Sequence, residues 1–376
     1  MELETSQTQR TLSWTARALS ALQLDGPLLT GIGLIAAVSL VVLYSASSAN
    51  WSVVGSQAIK FALALVVMII IAQLPTRLLM LTAPWLYGVG LSLLLAVMIK
   101  GEITLGAQRW LNLGFVRFQP SEIMKIAVPL LCAWYVHDRP LPPSFLNIFV
   151  IALIILIPVG IIAEQPDLGT ALLVGAAGAM ALLLSGLQKR YIFGLFSALI
   201  PTTWIAWTYL LHDYQRRRVL TFIDPSNDPL GSGYHIIQSQ IAIGSGGIFG
   251  KGYLNGSQAQ LAYLPERSTD FIFAVIGEEW GLIGLITVLF LYLFVISRCL
   301  YLATSAQDTF ARIIAGSLGL TFAVYVFVNT GMVTGLLPVV GVPLPLISFG
   351  GTSMVTLMAG FGILMSVSGK RRLVGH

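Results

Sequence analysis

The sequence predicts an all-α polytopic membrane protein of about ten transmembrane helices, with a long extracytoplasmic segment between the seventh and eighth. Three observations carry that reading. Hydrophobic residues make up 56% of the 376 positions and charged residues only 10%, where a soluble domain would carry about a quarter. The apolar residues gather into runs close to the roughly 20 needed to cross hydrocarbon. Those runs are continuous and rich in Leu, Ile and Val, not alternating, which excludes a transmembrane barrel.

The elements follow in order. Residues 1–26 form a polar tail with Arg10 and Arg17. Its length and its acids Glu2, Glu4 and Asp25 favour an uncleaved first crossing over Pro27–Tyr44 rather than a signal peptide. Further runs lie at about 54–73, 78–99, 120–137, 146–163, 168–187, 192–211, 271–297, 313–334 and 347–368. An even count puts both termini on one side, and Lys370, Arg371 and Arg372 in the basic tail 369–376 place that side in the cytoplasm. Arg77, Arg139, Lys189, Arg190, Arg298 and Arg312 fall in loops on the same side. No internal repeat divides the chain, so 1–376 reads as a single domain. Cys132 and Cys299 sit in or beside apolar runs and read as buried thiols, not a disulfide. The net charge of +5, without an aromatic-rich basic patch, gives no sign of nucleic acid.

Several charges sit where this plan does not ask for them. Lys100, Arg109 and Arg117 share one outer loop, and Arg216, Arg217, Arg218, Lys251 and Arg267 lie in the outer segment 212–270. An anionic substrate would explain so many outer cations; pairing with Asp213, Asp224, Asp228 and Glu266 is the structural alternative. Glu122 and Lys125 fall inside the fourth run, three residues apart and so on one helix face. Pro120 and Glu122 also suit an ordinary helix start, but Lys125 lies deeper than capping explains, and an intramembrane ionisable residue is a functional candidate.

Asp270, Glu278 and Glu279 mark the start of the eighth run. At 1.5 Å and 100° per residue, a helix from Asp270 would put Glu278 about 12 Å deeper and about 80° round, so the acids form no carboxylate pair. Asp270 is then a lone acid near the outer surface, and Glu278 and Glu279 are structural. Within 212–270, turn chemistry at 224–229 and the apolar anchors Ile236, Ile237, Ile241 and Ile243 of a surface-lying helix argue for order. The glycines of 244–252 suit close backbone approach and could act as pivots for the segment. Residues 337–352 carry no charge but many Pro and Gly, which predicts a broken or re-entrant stretch beside a site; Asn329 and Thr330 can supply hydrogen bonds near it, and helix–helix packing explains them equally well.

Together these segments resemble the SEDS family of shape, elongation, division and sporulation proteins, over nearly the whole chain. The resemblance rests on residues 106–114 and 118–125, on Gln165 to Thr170, on Gly233 to Ser239, on Lys251 to Leu254, on Leu264 to Glu279, and on the Pro/Gly stretch. Leu141-Pro142-Pro143 and Tyr234 to Gln238 favour its cell-elongation branch. It implies a peptidoglycan glycosyltransferase of the bacterial inner membrane that polymerises lipid II with a class B penicillin-binding protein. It also implies Asp270 as the catalytic base facing the periplasm and Glu122 and Lys125 lining a central cavity, with Arg109 in a matching motif. Ser268 departs from the family, where His usually precedes Thr-Asp.

Such chemistry fits the residues. Pyrophosphate leaves readily, so one carboxylate can serve as base, while Lys125, Arg109, Arg216, Arg218, Lys251 and Arg267 could meet the departing charge. A divalent ion, Mg or Mn, could assist, held jointly with substrate phosphates because no cluster has metal-ligand spacing. The rival readings are a lipid II flippase, which would spread its charges along a continuous path, and a non-catalytic scaffold of the cell-wall machinery.

Overall fold

A computed structural model describes residues 22–104, 107–112, 117–210, 213–224, 231–261 and 263–368. The tail 369–376 and most of 1–26 lie outside these described residues.

Each apolar run coincides with a helix. The first three are α1 (Gly26–Ala46), α2 (Trp51–Ala72) and α3 (Thr76–Lys100). After a small β-ribbon come α4 (Pro120–His137), α5 (Phe145–Glu164), α6 (Leu168–Leu184) and α7 (Lys189–Ile205), which continues into a π turn at Ala206–Leu210. Then follow α8 (Asp213–Ile223), α9 (Ser232–Gly246), the short α10 (Ser257–Gln260), α11 (Ile272–Thr304), α12 (Thr309–Val333) and α13 (Thr352–Ser368). Among the described residues six helices are long and apolar enough to cross a membrane: α1, α2, α3, α5, α11 and α12.

Local chemistry sets the boundaries. Asp25 starts α1 by accepting from Leu28 N at 2.9 Å, Asn50 does so for α2, Ser144 for α5 and Asp167 for α6. Pro27 and Pro120 occupy first-turn positions, where a missing N–H costs nothing. The outside of the bundle is apolar: Ile59 on α2, Phe145 and Leu146 on α5 and Phe290 on α11 are all exposed. An exterior of this kind belongs against lipid, and the chain is a multi-pass membrane protein. At the centre lies α4, packed by α3, α5, α6, α12 and α13.

Three features depart from the sequence-based expectation. Among the described residues the loop after α3 holds three short antiparallel strands, β1 (Glu102–Thr104), β2 (Ala107–Asn112) and β3 (Arg117–Phe118), and the other elements are helical. Strands this short give too little alternation to register as a pattern. Among the described residues of the segment between α7 and α11, the helix expected at Ile236 to Ile243 is present as α9, but it packs along α11 and is joined by α8 and α10.

The third concerns the glycines of 244–252, whose close approach is made to a break in α11. At Gly281 (φ 66°) α11 breaks, and residues 247–252 fill the break. Lys251 N and Gly252 N donate to the carbonyls of Glu278 and Glu279, each at 3.0 Å, while Leu282 N and Ile283 N donate to Gly247 O and Ile248 O at 2.9 and 3.2 Å. The carbonyls orphaned on one side of the break and the N–H groups orphaned on the other are thus satisfied by one strap. The strap sits so close that a Cβ at Gly246, Gly250 or Gly281 would strike backbone atoms of the opposing segment.

Gly281→Val should therefore destabilise the protein by about 2 kcal/mol or more, because it adds both strain at positive φ and a backbone clash. Gly55→Ala, in the interior of α2 with open space around it, should leave stability unchanged or raise it. Thermal unfolding of both variants in the same detergent checks the contrast.

Candidate functional site

The site is built where α4 and α6 begin and α13 begins. Glu122 and Lys125 lie one turn apart on α4, both buried, with Lys125 Nζ 2.7 Å from Glu122 Oε1. The ammonium also stands 5.2 Å from the centre of the Tyr325 ring on α12. Glu122 Oε2 is buried with no hydrogen-bond partner, which leaves an acceptor facing into the bundle.

A cavity of about 250 Å³ opens beside this pair, lined by Arg109 and Trp110 from the ribbon, Gln119, Glu122, Lys125, Asp167, Thr170, Gly341 to Pro343 and Gly350 to Ser353. Asp167 organises one wall. It accepts from Gln119 Nε2 at 2.9 Å and from Thr170 N at 3.3 Å, and it lies 3.9 Å from an Arg109 nitrogen. Arg109 also donates to the carbonyl of Pro166. The cavity therefore holds two cations, each facing an acid on its own wall.

The uncharged stretch between α12 and α13 forms another wall. Residues 335–351 are not helical, and Val342, Leu344, Leu346, Ile347 and Ser348 are buried. Its backbone is satisfied by side chains of surrounding helices: Ser39 donates to Ile347 O (2.8 Å), Gln57 to Ser348 O (3.1 Å) and Tyr292 to Pro345 O (2.6 Å). This is the broken segment beside a site that the composition predicts.

Asp270 stands on the other side of that stretch, in the turn before α11. The helix starts at Ile272 and the chain turns through 265–271, with Glu266 at φ 50°, so the helical projection from Asp270 to Glu278 does not apply. A Cβ at Gly341 (φ 73°) would lie 3.5 Å from Asp270 Oδ2, which puts the carboxyl against the cavity rim. Burial, reinforced by the nearby Glu266 charge and opposed by Arg218, pushes the Asp270 carboxyl up to about 6.

Of the residues singled out from sequence, the structure brings Arg109, Glu122 and Lys125 into one cavity, with Asp270 at its rim and Arg218 within electrostatic reach of Asp270. The other three cations have different partners. Lys251 Nζ lies 2.7 Å from Glu278 Oε1, Arg267 donates to Ser48 Oγ at 2.8 Å, and Arg216 donates to Thr208 O at 3.1 Å. Glu278 is fully buried and also accepts from Ser257 Oγ, Gln258 N and Ala259 N. Glu279 accepts from Ser45. Both acids hold structure together, as their positions suggest.

Asp167 and Gln119 belong to the cavity and are missed by sequence reasoning, although an acid opening an apolar run, three residues before Thr170, is a visible capping pattern. Lys60 is missed as well. It lies within α2 with its ammonium 3.6 Å from the Phe349 ring centre and its stem against Gly351, and a cation interrupting the second apolar run was the available signal.

Comparison with known proteins gives a consistent picture. Residues 21–373 match the model of the cell cycle protein family that groups FtsW, RodA and SpoVE. The chain is 52% identical over 339 residues to the peptidoglycan glycosyltransferase MrdB of Escherichia coli (strain K12), covering 89% of this chain and 91% of that protein. It is 38% identical over 352 residues to the protein of the same name from Helicobacter pylori, covering 90% and 88%. Among solved structures it resembles a chain of a peptidoglycan synthase complex that coordinates polymerization and crosslinking (TM-score 0.81, 34% identity, 93% of this chain and 99% of that one). It also resembles the rod shape determining protein RodA of Thermus thermophilus (TM-score 0.70, 29% identity, 93% and 97%).

Removing the buried cation should be costly whatever the site binds. Lys125→Met leaves Glu122 ionised or protonated without its partner and should destabilise by about 3–5 kcal/mol. Combining it with Glu122→Gln should recover part of that loss, and Lys125→Arg should lose less. Denaturant unfolding of the single and double variants measures the coupling.

Proposed function

The chain belongs to the FtsW, RodA and SpoVE family of cell cycle proteins, and from that premise and the site geometry we propose how it works. It is a peptidoglycan glycosyltransferase of the cell-elongation type. In the proposed mechanism the substrate is lipid II, a disaccharide peptide on a polyprenyl pyrophosphate. All ten apolar helices cross the inner membrane, both termini are cytoplasmic, and the Asp270 end of the bundle faces the periplasm, with the segment between α7 and α11 on that side.

One observation carries the mechanism: a half-buried carboxyl, raised to about 6, stands against the rim of a cavity that holds Lys125 and Arg109. In the reaction a sugar hydroxyl attacks an anomeric carbon and expels the lipid pyrophosphate. Asp270 takes the hydroxyl proton, and a base tuned near the working pH suits that task. The pyrophosphate carries its own charge away and needs no general acid; it needs cations or donors already in place. Lys125 and Arg109 supply these within the cavity, and Arg218 lies near the acid. Lys251, Arg267 and Arg216 are held by protein groups, which leaves Lys125 and Arg109 to meet most of the substrate's charge.

Glu122 and Asp167, the acids of the cavity, each face a cation, so they do not form a metal site of their own. A Mg or Mn ion would be held chiefly by the substrate phosphates. The partner is a class B penicillin-binding protein. A flippase remains the alternative activity. It is disfavoured because Asp270, which has no cation at salt-bridge distance among the described residues, lies at one end of the bundle, not midway along a continuous charged path.

Asp270→Asn should abolish glycan polymerisation while leaving the protein folded, since it removes the base at nearly constant size. Labelled lipid II incubated with the purified protein and its partner gives the readout, and chain formation at the wild-type rate in a folded Asn variant would refute the assignment. The pH dependence follows from the same group. Because only the ionised form accepts a proton, turnover should rise with pH up to about 6 and fall about tenfold per unit below it. A rate profile from pH 4.5 to 8 in wild-type protein tests the midpoint.

A further inference from the structure

Three loose ends remain outside the mechanism: Lys60 on α2, a polar cavity of about 330 Å³ near Arg77, His137 and Asp308 at the opposite end of the bundle, and Asn329 on α12. The observations carry Asn329 furthest. We propose that Asn329 is a positioning residue whose side-chain amide ties the backbone of Asp270 to the rim of the cavity, and so fixes the distance between base and cations. The proposal rests on the assignment of Asp270 as base.

Asn329 is fully buried, and its Nδ2 donates twice: to Asp270 O at 2.8 Å and to Val342 O at 2.7 Å. Val342 lies on the cavity wall beside Gly341, the residue that faces the Asp270 carboxyl. One rigid amide on a membrane-embedded helix thus spans the two segments that must be kept in register. Both segments are non-helical here and have no ladder of their own to hold them.

Two further contacts run parallel but stop short of the acid: Phe349 N donates to Ser268 O and Ser348 Oγ to Thr269 O. They hold the turn. Asn329 alone among the described contacts holds Asp270 itself to the cavity wall.

The amide is not there to satisfy itself. Its Oδ1 is buried with no hydrogen-bond partner, an expense that a residue chosen only for packing would avoid. The orientation is dictated by its donors. Asn329 touches neither Lys125 nor Glu122 through any hydrogen bond of the described structure, so it acts through the two segments it joins, Asp270 and the wall at Val342.

The test compares Asn329→Leu, which fills the space without donors, and Asn329→His, which keeps one N–H near the same place, in the full chain with its partner synthase and labelled lipid II. A loss of alignment of about an ångström costs on the order of 100-fold in rate. Asn329→Leu should therefore lower kcat by about that factor with KM within about twofold of wild type, and Asn329→His should recover part of the loss. The pH midpoint of turnover should fall in both, because a loosened Asp270 gains water while Glu266, Arg218 and the neighbouring His235, which stacks on Phe271, remain in place. If Asn329→Leu does not fold, the His variant decides on kcat and midpoint. A folded variant with wild-type kcat and an unmoved midpoint overturns the proposal. Asp270→Asn run alongside separates the two ideas: an inactive Asp270→Asn with a fully active Asn329→Leu removes only the positioning role, and an active Asp270→Asn removes the base and the positioning role together.

Discussion

Within hydrocarbon every peptide group that leaves a helix must find its partner inside the protein, and most of the unusual features of this bundle answer that requirement. Among the described residues the chain leaves helical geometry beside packed helices at, among other places, the break in α11 at Gly281 and the stretch 335–351 between α12 and α13. The first is satisfied by backbone alone, through the strap 247–252. The second is satisfied by side chains, Ser39, Gln57, Tyr292 and Asn329, drawn from elements far apart in sequence. Because those donors converge on one stretch, that stretch is held firmly as the wall between the Asp270 carboxyl and the charged cavity.

The charges obey a related rule. A lone ammonium at this depth would be expensive, and Lys125 is kept by a carboxylate one turn away and by the Tyr325 ring. A buried pair of this kind contributes little net stability compared with apolar residues, so its presence speaks for chemistry. Asp270 is treated differently. It is half-buried without a paired cation at salt-bridge distance among the described residues, and burial holds its carboxyl near the pH at which a base is useful. Two acids in one chain are thus given opposite tasks by their surroundings: Glu122 holds a cation, and Asp270 is free to take a proton.

Much of this was legible in the sequence because membrane helices announce themselves by length and continuity. Each apolar run became a helix, and the intramembrane Glu122 and Lys125, the lone Asp270 and the uncharged Pro/Gly stretch each pointed to the site. What was not legible depended on pairing between distant segments. Nothing near Lys251 in sequence says that its ammonium meets Glu278, and nothing local says that Asn329 reaches Asp270 in place of packing between helices. The glycines of 244–252 were read as points of close approach, and the backbone of α11 is what they approach. The β-ribbon was missed because its strands are two to six residues long.

The strap across α11 also bears on biogenesis. A span normally enters the bilayer as a self-sufficient unit, its peptide groups already paired along its own axis. Here one span is left with four unpaired groups at Gly281 until residues 247–252 dock, and those residues come earlier in the chain. The ribosome therefore delivers the patch before the helix that requires it. Insertion of this span is coupled to the folding of the segment that precedes it, and a lesion in that segment would be felt during assembly as a helix that cannot settle in the membrane.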